Sequence, residues 1–170
     1  ILTMPDSMSR ERCDLLKCYG AELVLTPRLK GMLGAIEVAR KIFEASPNTV
    51  FMPQQFNNPV NPETHRKTTA VEILKATRGK IDAFVAGVGT GGFLTGVGEV
   101  LKKEIREVLV VAVEPLASNI LSGGKTGCHN IQGIGTEFIP SVLNREMIDS
   151  VICVADEDAF EMAQLLARKE

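Results

Sequence analysis

"VAGVGTGGFLTGVGEV", residues 85–100, carries six glycines between Gly87 and Gly98. A β-like apolar run enters it and a helical pattern leaves it. Glycine at this density brings the backbone close to something, because each absent Cβ lifts a steric limit. Three roles fit. Read as G-x-G-x-x-G, Gly87, Gly89 and Gly92 follow a strand and open a helix, with Glu114 22 residues beyond Gly92. That is the fingerprint of a dinucleotide site with its ribose-binding acid, hence of an NAD-dependent oxidoreductase. Read as a phosphate cup, "GTGG" (89–92) gathers backbone N–H groups at a helix start. Unpaired amides and the helix dipole favour a phosphate dianion there, and the Thr90 hydroxyl adds a donor. The third role is close packing of helix on strand. A glycine at 96 or 98 fits it, but the four at the mouth exceed it.

Working outward, strands and helices alternate. "ILTM" (1–4) is a strand, followed by a helix with Asp6, Ser7 and Ser9 as cap candidates and Gly20 as its stop. "AELVLT" (21–26) is the next strand. In "GMLGAIEVARKIFEA" (31–45), Met32, Ala35, Ile36, Ala39, Ile42 and Phe43 fall at helical spacing. "TVFM" (49–52) reads as a third strand. The loop "PQQFNNPVNP" (53–62) marks a domain seam, and Asn61-Pro62 is expected to cap a helix that ends near Gly79. "IDAFVAGV" (81–88), "VLVVAVEP" (108–115) and "DSVICVA" (149–155) are strands, and Asp156 is expected to cap the last helix. The strands are continuous apolar runs. The fold class is therefore α/β, a parallel sheet with helices on both faces.

Composition narrows the function. The chain is 45% apolar and 24% charged, as an ordinary globular protein is. Its net charge of −2, with both signs interspersed and no basic stripe, argues against nucleic acid and anionic membranes as partners. No apolar run approaches the length of a membrane span, so a cytoplasmic protein is expected. The four cysteines, at 13, 18, 128 and 153, form no C-x-x-C pair, and two histidines add little to a ligand set. Buried, reduced thiols and no metal are the reading. The chain opens inside an apolar stretch and closes on an uncapped helix, which suggests a piece of a longer protein.

Taken in order, "ILTMPDSMSRER", "GAELVLTP", "FMPQQFNNPVNPETHRKTT", "AGVGTGG" with "LTGVG", "VAVEP" and "IQGIGTEFIP" cover essentially the whole chain. Together they resemble the cysteine synthase (O-acetylserine sulfhydrylase) family of fold type II pyridoxal-phosphate enzymes. The resemblance implies pyridoxal 5'-phosphate as cofactor, and replacement of the acetate of O-acetylserine by sulfide to give cysteine. It places the cofactor phosphate on Gly89, Thr90, Gly91, Gly92 and Phe93, and Gly133, Ile134 and Gly135 near the cofactor ring. Gln55 and Phe56 fall beside the substrate carboxylate. Residues 1–57 become the end of a small mobile domain, with Met4 to Ser9 in the part that closes over substrate, and residues 58–170 much of the large domain. A homodimer is implied, and serine acetyltransferase as a possible partner. A non-catalytic, partner-binding remnant is a further alternative.

The sequence also departs from the family pattern. Neither S-x-K-D-R, the setting of the cofactor-linking lysine, nor S-G-N-T-G occurs in these residues. No catalytic residue is therefore assigned, and the chain alone is expected to be inactive. Phe93 stands where the family has threonine, Glu137 replaces a glycine, and "GCHN" (127–130) replaces G-P-H-K.

Overall fold

The computed structural model describes all 170 residues. The chain divides into two compact units, Ile1–Pro53 and Gln54–Glu170. That division precedes the expected 57/58 boundary. The turn at 54–57 sits with the second unit, where the Val142 N–H donates to the Phe56 carbonyl (3.3 Å) and the Ser141 hydroxyl meets Asn57 Oδ1 (2.8 Å).

In the first unit, β1 (Leu2–Pro5) pairs in parallel with β2 (Leu23–Thr26). Between them runs α1 (Arg10–Cys18), whose N-cap Ser9 accepts from the Arg12 N–H at 3.3 Å. Gly20, at φ +82°, supplies the left-handed turn that ends the helix. The amphipathic α2 (Gly31–Ala45) buries Gly34 and Ala35, and the Thr3 hydroxyl of β1 donates to the Ala35 carbonyl (2.9 Å). Residues 49–52 form no strand. The Thr49 and Val50 amides turn back to the Ser46 carbonyl, and Phe51 is 82% exposed, so a β-prone tetrapeptide without a partner stays a loop.

The second unit holds a parallel three-stranded sheet in the order β3 (Ala83–Gly87), β4 (Leu109–Pro115), β5 (Ser150–Val154). Pleating separates its faces. Phe84, Ala86, Val110 and Ala112 are buried with Leu94, Val97 and Leu101 of α5 (Gly92–Glu104) in one core. On the opposite face Val85, Leu109 and Ile152 are exposed. Two helices, α3 (Val60–Lys67) and α4 (Thr69–Thr77), replace the single helix expected. The break falls at Thr68, whose hydroxyl donates to the Thr64 carbonyl (2.8 Å), a back-bond that bends helices. Asn61 does not cap α3. The helix starts at Val60, two residues before the expected Pro62, and Asn58 Oδ1 accepts from the Val60 N–H (3.0 Å). Likewise Asp156 lies inside α6 (Asp156–Lys169), with Ala155 at the N-cap position. Its carboxylate instead accepts from the Asn130 N–H (2.7 Å) and side-chain amide (2.8 Å).

Two polar clusters fix α5. Arg66 Nε donates to Glu99 Oε2 (2.7 Å), and Asn144 donates to Glu99 Oε1 (2.8 Å) while its N–H meets the Thr95 hydroxyl (3.0 Å). At the other end Lys102 pairs with Asp149 (2.7 Å), which also accepts from the Val110 N–H (2.6 Å). The Lys102 ammonium and that amide hold the Asp149 carboxyl below the usual carboxylate range. No helix is long and apolar enough to cross a membrane. All four cysteines are free, but Cys18 and Cys128 are exposed and Cys13 and Cys153 only half-buried, so the buried-thiol reading does not hold.

Candidate functional site

The glycines divide into two groups. Gly96 and Gly98 are packing positions. A Cβ at Gly96 would strike the Pro62 carbonyl and His65 of α3, and one at Gly98 would meet Met147 at 2.6 Å. The mouth is different. Gly91, the N-cap of α5, has φ +81°, and a Cβ there would also lie 2.8 Å from the Leu143 Cβ. A Cβ at Gly89 would strike the Gly133 carbonyl, and one at Gly92 the Asn61 side chain.

This packing leaves donors without acceptors. The Thr95 N–H bonds to the Gly91 carbonyl (2.9 Å), and the Gly92 N–H reaches only the Thr90 hydroxyl (3.3 Å). The N–H groups of Thr90, Gly91, Phe93 and Leu94 have no acceptor in the chain. Four such amides at a helix start have the chemistry to hold an anion without a lysine or arginine. The Phe93 ring turns away and packs edge-on against His65 (5.4 Å) and Phe84 (5.3 Å). It contributes its amide alone.

The other expected site residues lie around this mouth. The Gly135 N–H donates to the Val88 carbonyl (3.0 Å), and Ile134 packs over Gly87, so the 133–135 turn covers the end of β3. Positive φ values at Gly133 (+96°) and Gly135 (+71°) shape it. Gln55 and Phe56 come from a tight turn in which Gln54 adopts φ +52° and its carbonyl accepts from the Asn57 and Asn58 amides, both at 2.8 Å. The exposed Gln55 side chain has no partner in the chain, and the Phe56 ring stands edge-on to Phe138 at 5.0 Å. A small cleft beside the mouth is lined by Val88, Glu114, Ile120, Leu121, Gly135 and Thr136.

Asn61, Leu143 and Gln54 are positional residues that sequence reading missed. The Asn61 amide bridges the Gln55 carbonyl (2.9 Å) and the Thr90 hydroxyl (3.0 Å). Its signal in the sequence, an Asn-Pro pair, suggests a helix cap instead.

The dinucleotide reading fails on Glu114. This side chain is 1% exposed, and its carboxylate accepts from the Leu121 N–H (2.8 Å), the Ser122 N–H (2.9 Å) and the Ser122 hydroxyl (2.6 Å). A carboxylate so engaged inside the fold is not free for a ribose. With Glu114 gone, Gly87, Gly89 and Gly92 lack the acid that made them a nucleotide fingerprint.

A family model described as "Pyridoxal-phosphate dependent enzyme" matches residues 1–170. The chain belongs to this pyridoxal-phosphate dependent enzyme family. It is 54% identical over 171 aligned positions to a cysteine synthase of Staphylococcus aureus (strain Mu50 / ATCC 700699), covering all of this chain and 54% of that protein. Among solved structures, the Entamoeba histolytica cysteine synthase superposes with a TM-score of 0.90 at 42% identity, over 98% of this chain and 49% of that one. An O-ureido-L-serine synthase gives 0.94 at 41% identity, over 99% and 53%. The chain thus spans about half the length of the relatives it matches. The fold is that of the fold type II enzymes, and pyridoxal phosphate is the cofactor of this pyridoxal-phosphate dependent family. The residues present suit its phosphate, since the unpaired first-turn amides and the sterically required glycines form a cradle of matching chemistry.

Proposed function

We propose that the whole enzyme carrying this chain is a cysteine synthase, which replaces the acetoxy group on Cβ of O-acetylserine by sulfide and releases cysteine and acetate. One observation carries the reading: the amide cup, the 133–135 turn and the Gln55 loop converge within a single compact unit. Gly89, Thr90, Gly91, Gly92 and Phe93 hold the cofactor phosphate through backbone N–H groups and the Thr90 hydroxyl. Gly133, Ile134 and Gly135 line the space beside the cofactor ring. When bound, pyridoxal phosphate supplies the electron sink for the β-replacement. The free Gln55 amide donates to the substrate carboxylate, and Phe56, fixed by Phe138, shields that side of the pocket from water.

The first unit is proposed as the end of the small mobile domain, with Met4 to Ser9 in its substrate-facing part, and the second as much of the large domain. A cytoplasmic homodimer that also engages serine acetyltransferase agrees with the sequence resemblance. The test is direct. Loaded with pyridoxal phosphate and given O-acetylserine and sulfide, the whole enzyme should form cysteine and acetate in equal amounts. Gln55→Ala should raise KM for O-acetylserine about tenfold or more, the expected effect of losing a hydrogen bond to a charged group. Failure to form cysteine from these substrates would overturn the assignment.

A further inference from the structure

The Thr90 hydroxyl has one proton and two lone pairs. Both lone pairs are engaged inside the chain, by the Asn61 side-chain amide at 3.0 Å and by the Gly92 N–H at 3.3 Å. Its proton has no acceptor in the chain and is left free to donate to whatever fills the cup. The orientation of Asn61 is fixed as well. Its other amide contact, at 2.9 Å, is the Gln55 carbonyl, which can only accept, so the nitrogen and not Oδ1 faces that side. The amide lies against Gly92, where a Cβ would collide with its Oδ1, Cγ and Nδ2. Glycine at 92 is therefore what allows the amide to reach Thr90.

We infer that Asn61 is a positioning residue that commits the Thr90 hydroxyl to donate to the cofactor phosphate and ties the Gln55 loop to the rim of the cup. This inference rests on the phosphate-cup reading above. The two amide hydrogens act separately. One holds the loop beside the substrate carboxylate, and the other fixes a proton for the phosphate. The consequence is a coupling. Removing Asn61 leaves the Thr90 hydroxyl in place but lets it rotate, so its donation to phosphate weakens. Asn61→Asp reverses the polarity, because a carboxylate draws the Thr90 proton to itself.

The test uses the whole enzyme stripped of cofactor, with equilibrium affinities measured for pyridoxal phosphate and for pyridoxal. The ratio of the two isolates the phosphate. Thr90→Val should lower that ratio about tenfold to a hundredfold, and Asn61→Asp should match it. Asn61→Ala should lower it about threefold to tenfold in the natural background, yet by less than about twofold when Thr90 is already valine. A merely structural role for Asn61 would weaken both ligands alike and leave the ratio unmoved. That result, or equal effects of Asn61→Ala in the two backgrounds, overturns the inference while the cup stands. If Thr90→Val and Gly91→Val both leave the ratio unchanged, the cup reading fails instead. The unaltered protein gives a second measurement that needs no Asn61 variant. With ¹⁵N-labelled asparagine, both Asn61 side-chain protons should exchange slowly in the cofactor-free enzyme, and Thr90→Val should accelerate one of them. Exchange as fast as that of an exposed asparagine overturns the inference.

Discussion

Phe93 shows what a single residue can conceal. Its position at the cup makes a bulky ring look like an obstacle, yet the ring packs between His65 and Phe84 and leaves the amide free. Phe93→Thr should lower the stability of the cofactor-free enzyme by about 1–3 kcal/mol, since two edge-on ring contacts and apolar burial are lost. Urea unfolding checks it, and an unchanged midpoint would mean that the ring contributes nothing. Glu114 shows the reverse case, a residue whose spacing fits a known role while its environment forbids it. Its two carboxylate oxygens satisfy the Leu121 and Ser122 amides, which turn the chain after β4. Glu114→Gln puts an amide donor against backbone donors and should cost about 1–3 kcal/mol. Neither outcome was legible in the sequence, because spacing along the chain does not record which way a side chain turns. The steric need for glycine at the mouth was legible, since few other features require four glycines in six residues, and a Cβ at Gly87, Gly89, Gly91 or Gly92 would collide with a neighbour.

At the scale of elements, the strand–helix alternation was readable wherever an apolar period was sustained, as in α2 and β4. It misled where a short segment lacked a partner, as at 49–52, or where an Asn or Asp near a helix start bonded elsewhere, as Asn61 and Asp156 do. The helix that matters most is α5, held at one end by Leu143 against Gly91 and at the other by the Lys102–Asp149 pair. Gly91→Val should abolish binding of the cofactor phosphate, because a branched side chain at φ +81° is strained and Leu143 fills the space it needs. Equilibrium dialysis with pyridoxal phosphate would show it. The Asp149 pair adds a pH dependence whose sign follows from its lowered pKa. A depressed folded-state pKa contributes stability above the unfolded value, near 3.9, and that contribution is lost as pH falls through the folded value. Asp149→Asn should therefore cost about 1–2 kcal/mol at neutral pH, where the half-exposed ion pair is discounted for screening. The difference from the natural protein should shrink below pH ~4. Equal destabilisation at neutral and strongly acidic pH would contradict the role given to the ion pair.

For the whole molecule, the continuous apolar runs of β3, β4 and β5 correctly signal a parallel sheet, and they carry a further consequence. Such runs belong to strands buried on both faces, yet over these 170 residues the face opposite α5 is only partly covered, with Val111 of the central strand buried there. Val85, Leu109 and Ile152 stay exposed on that face, and α6 leaves Phe160, Met162, Leu165 and Leu166 exposed as well. Apolar surface on this scale is rarely left open in a soluble monomer. The chain also spans only about half the length of the relatives it matches. The 170-residue chain by itself should therefore self-associate at micromolar concentration, with sedimentation showing a concentration-dependent rise in mean mass. Val85→Lys with Ile152→Lys should reduce that association without touching the cup, because both side chains lie on the face opposite α5. A monomer that unfolds cooperatively, unaffected by these two charges, would show that the open face is stable in water as it stands.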